Sequence, residues 1–131
     1  MHLLSELITA AVVMGILDFV WLGFVAKQLY YGAMGDILLQ KPKMGAALAF
    51  YAVYVIGVVL IVVRPAVHAA SWQHALAYGA LFGFVAYATY DLTNLATLKG
   101  FKSKVAAIDL TWGTAITTIV SIAAYAVGHH I

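Results

Sequence analysis

Residues 105–127 read VAAIDLTWGTAITTIVSIAAYAV, an apolar run broken by one charged side chain, Asp109. At about 1.5 Å per residue, a helix of that length crosses a hydrocarbon core of about 30 Å. Three other stretches read the same way, which places the spans at approximately Leu3–Val25, Met44–Val63, Ala75–Leu95 and Val105–Val127. Helix is the conformation these runs permit, because in lipid every backbone group must be satisfied within its own segment. The expectation is all-α: an integral membrane four-helix transmembrane bundle, with residues 1–131 as a single domain.

Composition leads to the same class. Hydrophobic residues make up 65% of the chain and charged residues 9%, against about 45–50% and about 25% in soluble domains. So few polar groups cannot cover a water-facing surface, whereas lipid can cover the rest. The chain has no cysteine, which excludes disulfides, thiolate ligands and cysteine nucleophiles. The first run carries Glu6, lacks a basic leader and continues past Asp18 to Val25, so the expectation is a retained helix and not a cleaved signal peptide. Pro42 precedes the second span, Arg64-Pro65 is expected to close it, and Lys99-Gly100 to end the third.

Basic residues set the expected orientation. Lys27, Lys41 and Lys43 fall in the first loop and Lys99, Lys102 and Lys104 in the third, while the opposite side holds only Arg64. The positive-inside bias puts the lysine loops in the cytoplasm and both termini outside. The first loop, residues 26–43, mixes Leu29, Tyr30, Tyr31, Ile37 and Leu38 with glycines, which suggests an interfacial segment. The first and third spans share an Asp-x-x-(Trp/Asn) motif with a lysine eight or nine residues on, a short match compatible with a parallel repeat.

Chemistry is concentrated in three carboxylates. Asp18, Asp91 and Asp109 lie inside expected spans that contain no lysine or arginine, and a charge at the bilayer centre costs roughly 2.5–3.5 kcal/mol. Helical rise places them roughly 13, 12 and 8 Å from Lys27, Lys99 and Lys104, a common level. Their i, i+4 rows are small or polar: Ala75, Gly79, Gly83, Tyr87, Asp91 in the third span; Asp109, Gly113, Thr117, Ser121 in the fourth; and Ala11, Gly15, Asp18 in the first. Such faces turn toward neighbouring helices. The expected result is one cytoplasm-facing pocket holding all three aspartates, lined by Tyr87, Tyr90, Asn94, Trp21 and Trp112, with Thr93 and Thr111 nearby. Interhelical hydrogen bonding alone is the competing account, but it averages about 0.6 kcal/mol per bond, less than insertion costs.

Carboxylates crowded in low dielectric cannot all be ionised without a cation or water. The site is therefore expected to bind or transport a cation, a proton or an amphiphilic small molecule. A membrane-embedded lipid-modifying enzyme, or an accessory protein in fatty-acid modification, is the alternative. Asp91 is expected to be the central, ionised member, with Tyr87 and Asn94 as donors on its own face. His2, His68, His74, His129 and His130 match no metal spacing, no phosphate loop or hydrolase motif is present, and nothing supports nucleic-acid binding or identifies a cofactor. A homodimer through the small surface of Gly45, Ala49 and Ala52 is compatible with so little interior.

Asp18-Phe-Val-Trp21, Tyr90-Asp91-Leu-Thr-Asn94 and Asp109-Leu-Thr-Trp112-Gly113 together resemble a family of small bacterial membrane proteins classed as a domain of unknown function. The resemblance spans essentially the whole chain. It implies four helices, a bacterial inner-membrane location and gene neighbours in fatty-acid modification, and it implies no activity, cofactor or catalytic residue.

Overall fold

The computed structural model describes residues 2–21 and 44–130. The expected interfacial segment of the first loop, with Pro42 and the lysines at 27, 41 and 43, lies outside them. The described residues form four helices and no strand. Helix α1 is His2–Val20. Helix α2 runs as Met44–Val58, a π-helical turn Val59–Val63 and a last stretch Arg64–Ala69. Helix α3 is Trp72–Thr97, and α4 is Ser103–His130.

Three of these, over Leu3–Val20, Gly45–Ala69 and Ser103–His130, are long and apolar enough to cross a membrane. Helix α3 is as long but more polar, carrying Gln73, His74, three tyrosines, Asp91 and Asn94. Around the bundle Leu4, Ile8, Val12, Ile16 and Phe19 of α1 are exposed, as are Leu48, Val53, Leu60 and Ile61 of α2 and Leu81, Phe84 and Val85 of α3. An apolar perimeter of that extent is a lipid-facing surface.

One expected boundary is corrected. Arg64-Pro65 does not close α2; the helix continues to Ala69. A proline lacks the N–H for the i−4 carbonyl and its ring crowds that carbonyl. The π turn just before it relieves both problems: the Arg64 N–H bonds to the Val59 carbonyl, five residues back, so the ladder widens where Pro65 enters. The chain then reverses through Ala70, in the left-handed region at φ 50°, and Ser71, whose hydroxyl caps α3 by accepting from the His74 N–H at 3.1 Å. Helix α3 stops at Thr97, just before Lys99-Gly100, and Gly100 makes the turn at φ 83°.

Helix α4 is the spine, packed against α3 along one face and α1 along another. The core comprises Ala10 and Met14 of α1, Tyr54, Val55, Val58, Val59 and Val63 of α2, and Ile116, Val120 and Ala124 of α4. Antiparallel packing brings α3 and α4 into a ladder of small residues. Side chains built on Gly79 and Gly83 would collide with Ser121 and with Thr117, respectively. This close approach fixes the register that decides which groups meet at the lysine end.

Candidate functional site

The ladder continues directly into the aspartates. One turn beyond Gly83, the Tyr87 ring lies over Gly113, where a Cβ would overlap the ring. One turn further, Asp91 comes beside Asp109, which precedes Gly113 by one turn on α4. Asp91 is completely buried at 0% exposure. Neither of its carboxyl oxygens has a hydrogen-bond partner of regular geometry among the described residues. Two carboxyl groups facing each other are stable when a proton or a cation lies between them, because a second unscreened charge in low dielectric is strongly disfavoured.

Asp18 enters from α1. It is half-buried, and its Oδ1 accepts a hydrogen bond from Trp112 Nε1 at 3.3 Å. The Trp112 indole stacks on Trp21, with centroids 4.4 Å apart and planes within 6°, so its N–H is held in one direction. Asp109 lies within electrostatic reach of both Asp18 and Asp91, and the Tyr87 hydroxyl within reach of all three. The structure thus brings together Asp18, Asp91, Asp109, Tyr87, Trp21 and Trp112, from three helices.

Other expected residues stand differently. Tyr87 and Asn94 were the donors expected for Asp91, and neither hydrogen-bonds to it. The Tyr87 ring is directed across the bundle, edge-on to Tyr54 at 6.4 Å, and Asn94 sits beside the Tyr90 hydroxyl one turn away on its own helix. The polar neighbourhood that made Asp91 the favoured ionised member is therefore spent elsewhere. Among these carboxylates it is Asp18 that receives an indole N–H. Thr93 and Thr111 are exposed and bond back to carbonyls of their own helices, Thr93 to Thr89 and Tyr90, and Thr111 to Ala107. Tyr90 stands at the edge of the cluster, where Phe50, Ala86, Tyr87, Tyr90 and Asp109 line a cavity of about 310 Å³.

Sequence reasoning missed a second charged locus, at the opposite end of the bundle. Glu6 of α1 is completely buried, and its Oε2 accepts from Arg64 Nη1 at 2.9 Å, Arg64 being 26% exposed. This is the one ion pair among the described residues. Gly128 of α4 leaves the space for it, since a Cβ there would overlap the Glu6 carboxyl. The signal was present: Glu6 lies a turn inside the first span and Arg64 at the far end of the second, the same level in antiparallel helices. The expected end of α2 at Arg64 hid it, because it put that side chain in a loop.

Between the two loci the core carries a few hydroxyls. Thr117 donates to the Gly113 carbonyl at 2.7 Å, so Tyr54, whose hydroxyl contacts the Thr117 hydroxyl, donates to it. Tyr51 donates to the Ala11 carbonyl. Ser121 Oγ is buried without a partner among the described residues. The histidines stack on tyrosines, His74 on Tyr78 at 4.3 Å and His129 on Tyr125 at 5.3 Å.

Comparison with known proteins places the chain in a family and goes no further. Residues 3–126 match the family described as predicted membrane protein (DUF2177), and the chain belongs to it. No curated protein and no solved structure matches it.

Proposed function

We propose that this member of the family binds a cation, in exchange for a proton, at the Asp18–Asp91–Asp109 cluster, and that this exchange serves uptake or export of the bound species. The observation that carries the reading is Asp91: fully buried, without a hydrogen-bond partner of regular geometry among the described residues, and beside Asp109. A buried carboxyl left unsatisfied costs more than one paired or hydrogen-bonded. The approach of Asp91 to Asp109 becomes favourable once a positive charge occupies the space between them. In this reading Asp91 and Asp109 hold the ion. Asp18, oriented by Trp112, adds a third carboxyl, and Trp21, Trp112 and Tyr87 separate the cluster from lipid. Tyr90 and Asn94 form its rim.

The same proposal includes the membrane setting. The chain is a multi-pass protein of the bacterial inner membrane, a single domain of four spans. Its lysine loops are cytoplasmic, its termini are outside, and the aspartates open toward the cytoplasm. The six-to-one distribution of basic residues supports that orientation. Gly45, Ala49 and Ala52 are exposed on α2, which suits association of two copies.

The test uses purified protein in liposomes with a pH-sensitive dye outside. Adding sodium, potassium or ammonium salts should release protons from the wild type, and Asp91→Asn or Asp109→Asn should abolish the release. Absence of release with every cation would overturn the proposal. A deletion strain whose lipids change, with no cation response in the protein, would favour the lipid-modifying alternative.

A further inference from the structure

The cavity beside the cluster has an unusual wall for an ion site. Among the described residues that line it, three of five are aromatic, Phe50 from α2 and Tyr87 and Tyr90 from α3, and the charged one is Asp109 of α4. Hard inorganic ions require a shell of oxygens, and these walls are mostly carbon. Aromatic faces around a carboxylate match a different cation, an ammonium group carrying alkyl substituents, which the ring quadrupoles attract while the carboxylate balances its charge.

Size and placement narrow the ligand. A volume of about 310 Å³ is at the lower end of the roughly 300–1,000 Å³ typical of small-molecule pockets. It has room for a substituted ammonium head and little more. Phe50 and Tyr90 are 55% and 54% exposed, so two walls stand on the bundle's perimeter and the cavity opens at its side. An alkyl chain attached to the head can stay outside, against the apolar surface. The third wall is rigid: Tyr87 is confined by Gly113 on one side and stands edge-on to Tyr54 on the other. A preformed ring requires no ordering when the ligand arrives, which favours binding.

We infer that the Phe50–Tyr87–Tyr90–Asp109 cavity is a binding site for a substituted ammonium group, carried either by a lipid headgroup or by a free organic amine. The inference rests on the proposed cation exchange and names its substrate class. The ammonium sits against the Asp109 carboxyl, whose neighbour Asp91 takes or releases the balancing proton.

Two arms of one experiment distinguish the sources. In the first, radiolabelled tetramethylammonium is equilibrated by dialysis with the full chain in a non-ionic detergent. In the second, protein extracted from bilayers of equal phosphatidylcholine, phosphatidylethanolamine and phosphatidylglycerol is examined by native mass spectrometry for retained lipid. Binding in the first arm identifies a free amine. Selective retention of the ammonium-bearing lipids in the second identifies a headgroup. Either supports the inference, provided that Asp109→Asn abolishes it and that Phe50→Leu and Tyr90→Leu each weaken it about tenfold. Both rings are on the perimeter, so these variants should fold, and Tyr90→Phe should bind nearly as wild type.

Binding in neither arm, or binding indifferent to both ring variants, overturns the inference. If sodium still releases protons in an Asp91-dependent way, that result removes the ammonium site and leaves the carboxylate exchange standing. If no cation releases protons, both fall.

Discussion

Removing Arg64 should destabilise the protein much more than removing its partner. Glu6 is fully buried, and its second carboxyl oxygen, Oε1, has no hydrogen-bond partner among the described residues, so Arg64 Nη1 is the one contact holding its charge. Breaking a buried pair from one side costs about 3–5 kcal/mol, mostly for the charge left behind. Arg64 is a quarter exposed, which moves the expectation for Arg64→Ala to the lower end, about 3 kcal/mol. Glu6→Gln keeps the shape and an acceptor, and the freed guanidinium can turn toward solvent, so about 1 kcal/mol is expected there. Gly128→Ala supplies a third perturbation, because its methyl group would overlap the Glu6 carboxyl and displace it. It should cost about as much as Arg64→Ala, and the double variant should cost less than the sum by 1 kcal/mol or more, as for residues sharing one contact. Reversible unfolding in mixed micelles of increasing SDS fraction measures these differences. An Arg64→Ala effect under 1 kcal/mol, or simple additivity with Gly128→Ala, would refute the reasoning.

The other predictions concern the lysine end and the topology. Trp112→Phe keeps the stack on Trp21 but removes the N–H donated to Asp18. A hydrogen bond to a charged group is worth about 1.5 kcal/mol at its long end, so half-maximal proton release should need up to about tenfold more cation, and stability in the micelle titration should fall by no more than about that amount. Gly113→Ala forces the Tyr87 ring out of its place, and it should cost about 1–3 kcal/mol in the same micelle titration and blunt the cation response. The cysteine-free chain suits accessibility mapping: cysteines at exposed Gln73 and Ser103 should label from opposite sides of intact membranes. Gln73 serves better than the capping Ser71, and labelling of both from one side would exclude an α3 that spans.

What the sequence disclosed, and what it withheld, follows from the geometry of single helices. The rows Gly79–Gly83–Tyr87–Asp91 and Asp109–Gly113–Thr117–Ser121 were legible because i, i+4 spacing is a property of one helix. The structure packs them against each other with Gly79, Gly83, Asp91, Gly113, Thr117 and Ser121 all buried. Which donor serves which aspartate depends on how neighbouring helices are rotated and slid, and no single row contains that. Tyr87 and Asn94 share a face with Asp91, yet one is directed across the bundle and the other toward Tyr90, while Trp112 reaches Asp18 from another helix. Thr93 and Thr111 had carbonyls four residues back within reach, and a hydroxyl in an apolar helix takes that local bond first.

The course of α2 shows the same limit in the backbone. Arg64-Pro65 ends a helix by every local rule, and only the widened turn at Val59–Val63 lets it continue. That turn draws no signal from composition, since five β-branched or leucine residues in lipid read alike in either register. Its consequence is nevertheless specific. By carrying Arg64 on helix and not on loop, it brings the guanidinium to Glu6 and joins α1 to α2 at one end of the bundle. At the other end α1 is joined to α4 through Asp18 and Trp112. Helix α1 is thus fastened by a carboxyl group at each end with an apolar seam of Ala10 and Met14 between. The two fastenings differ in one respect that bears on function. The Glu6 charge has its counter-charge within the chain, whereas neither carboxyl oxygen of Asp91 has a hydrogen-bond partner of regular geometry among the described residues. That difference accords with a structural end at Glu6 and with the proposed exchange at the other end.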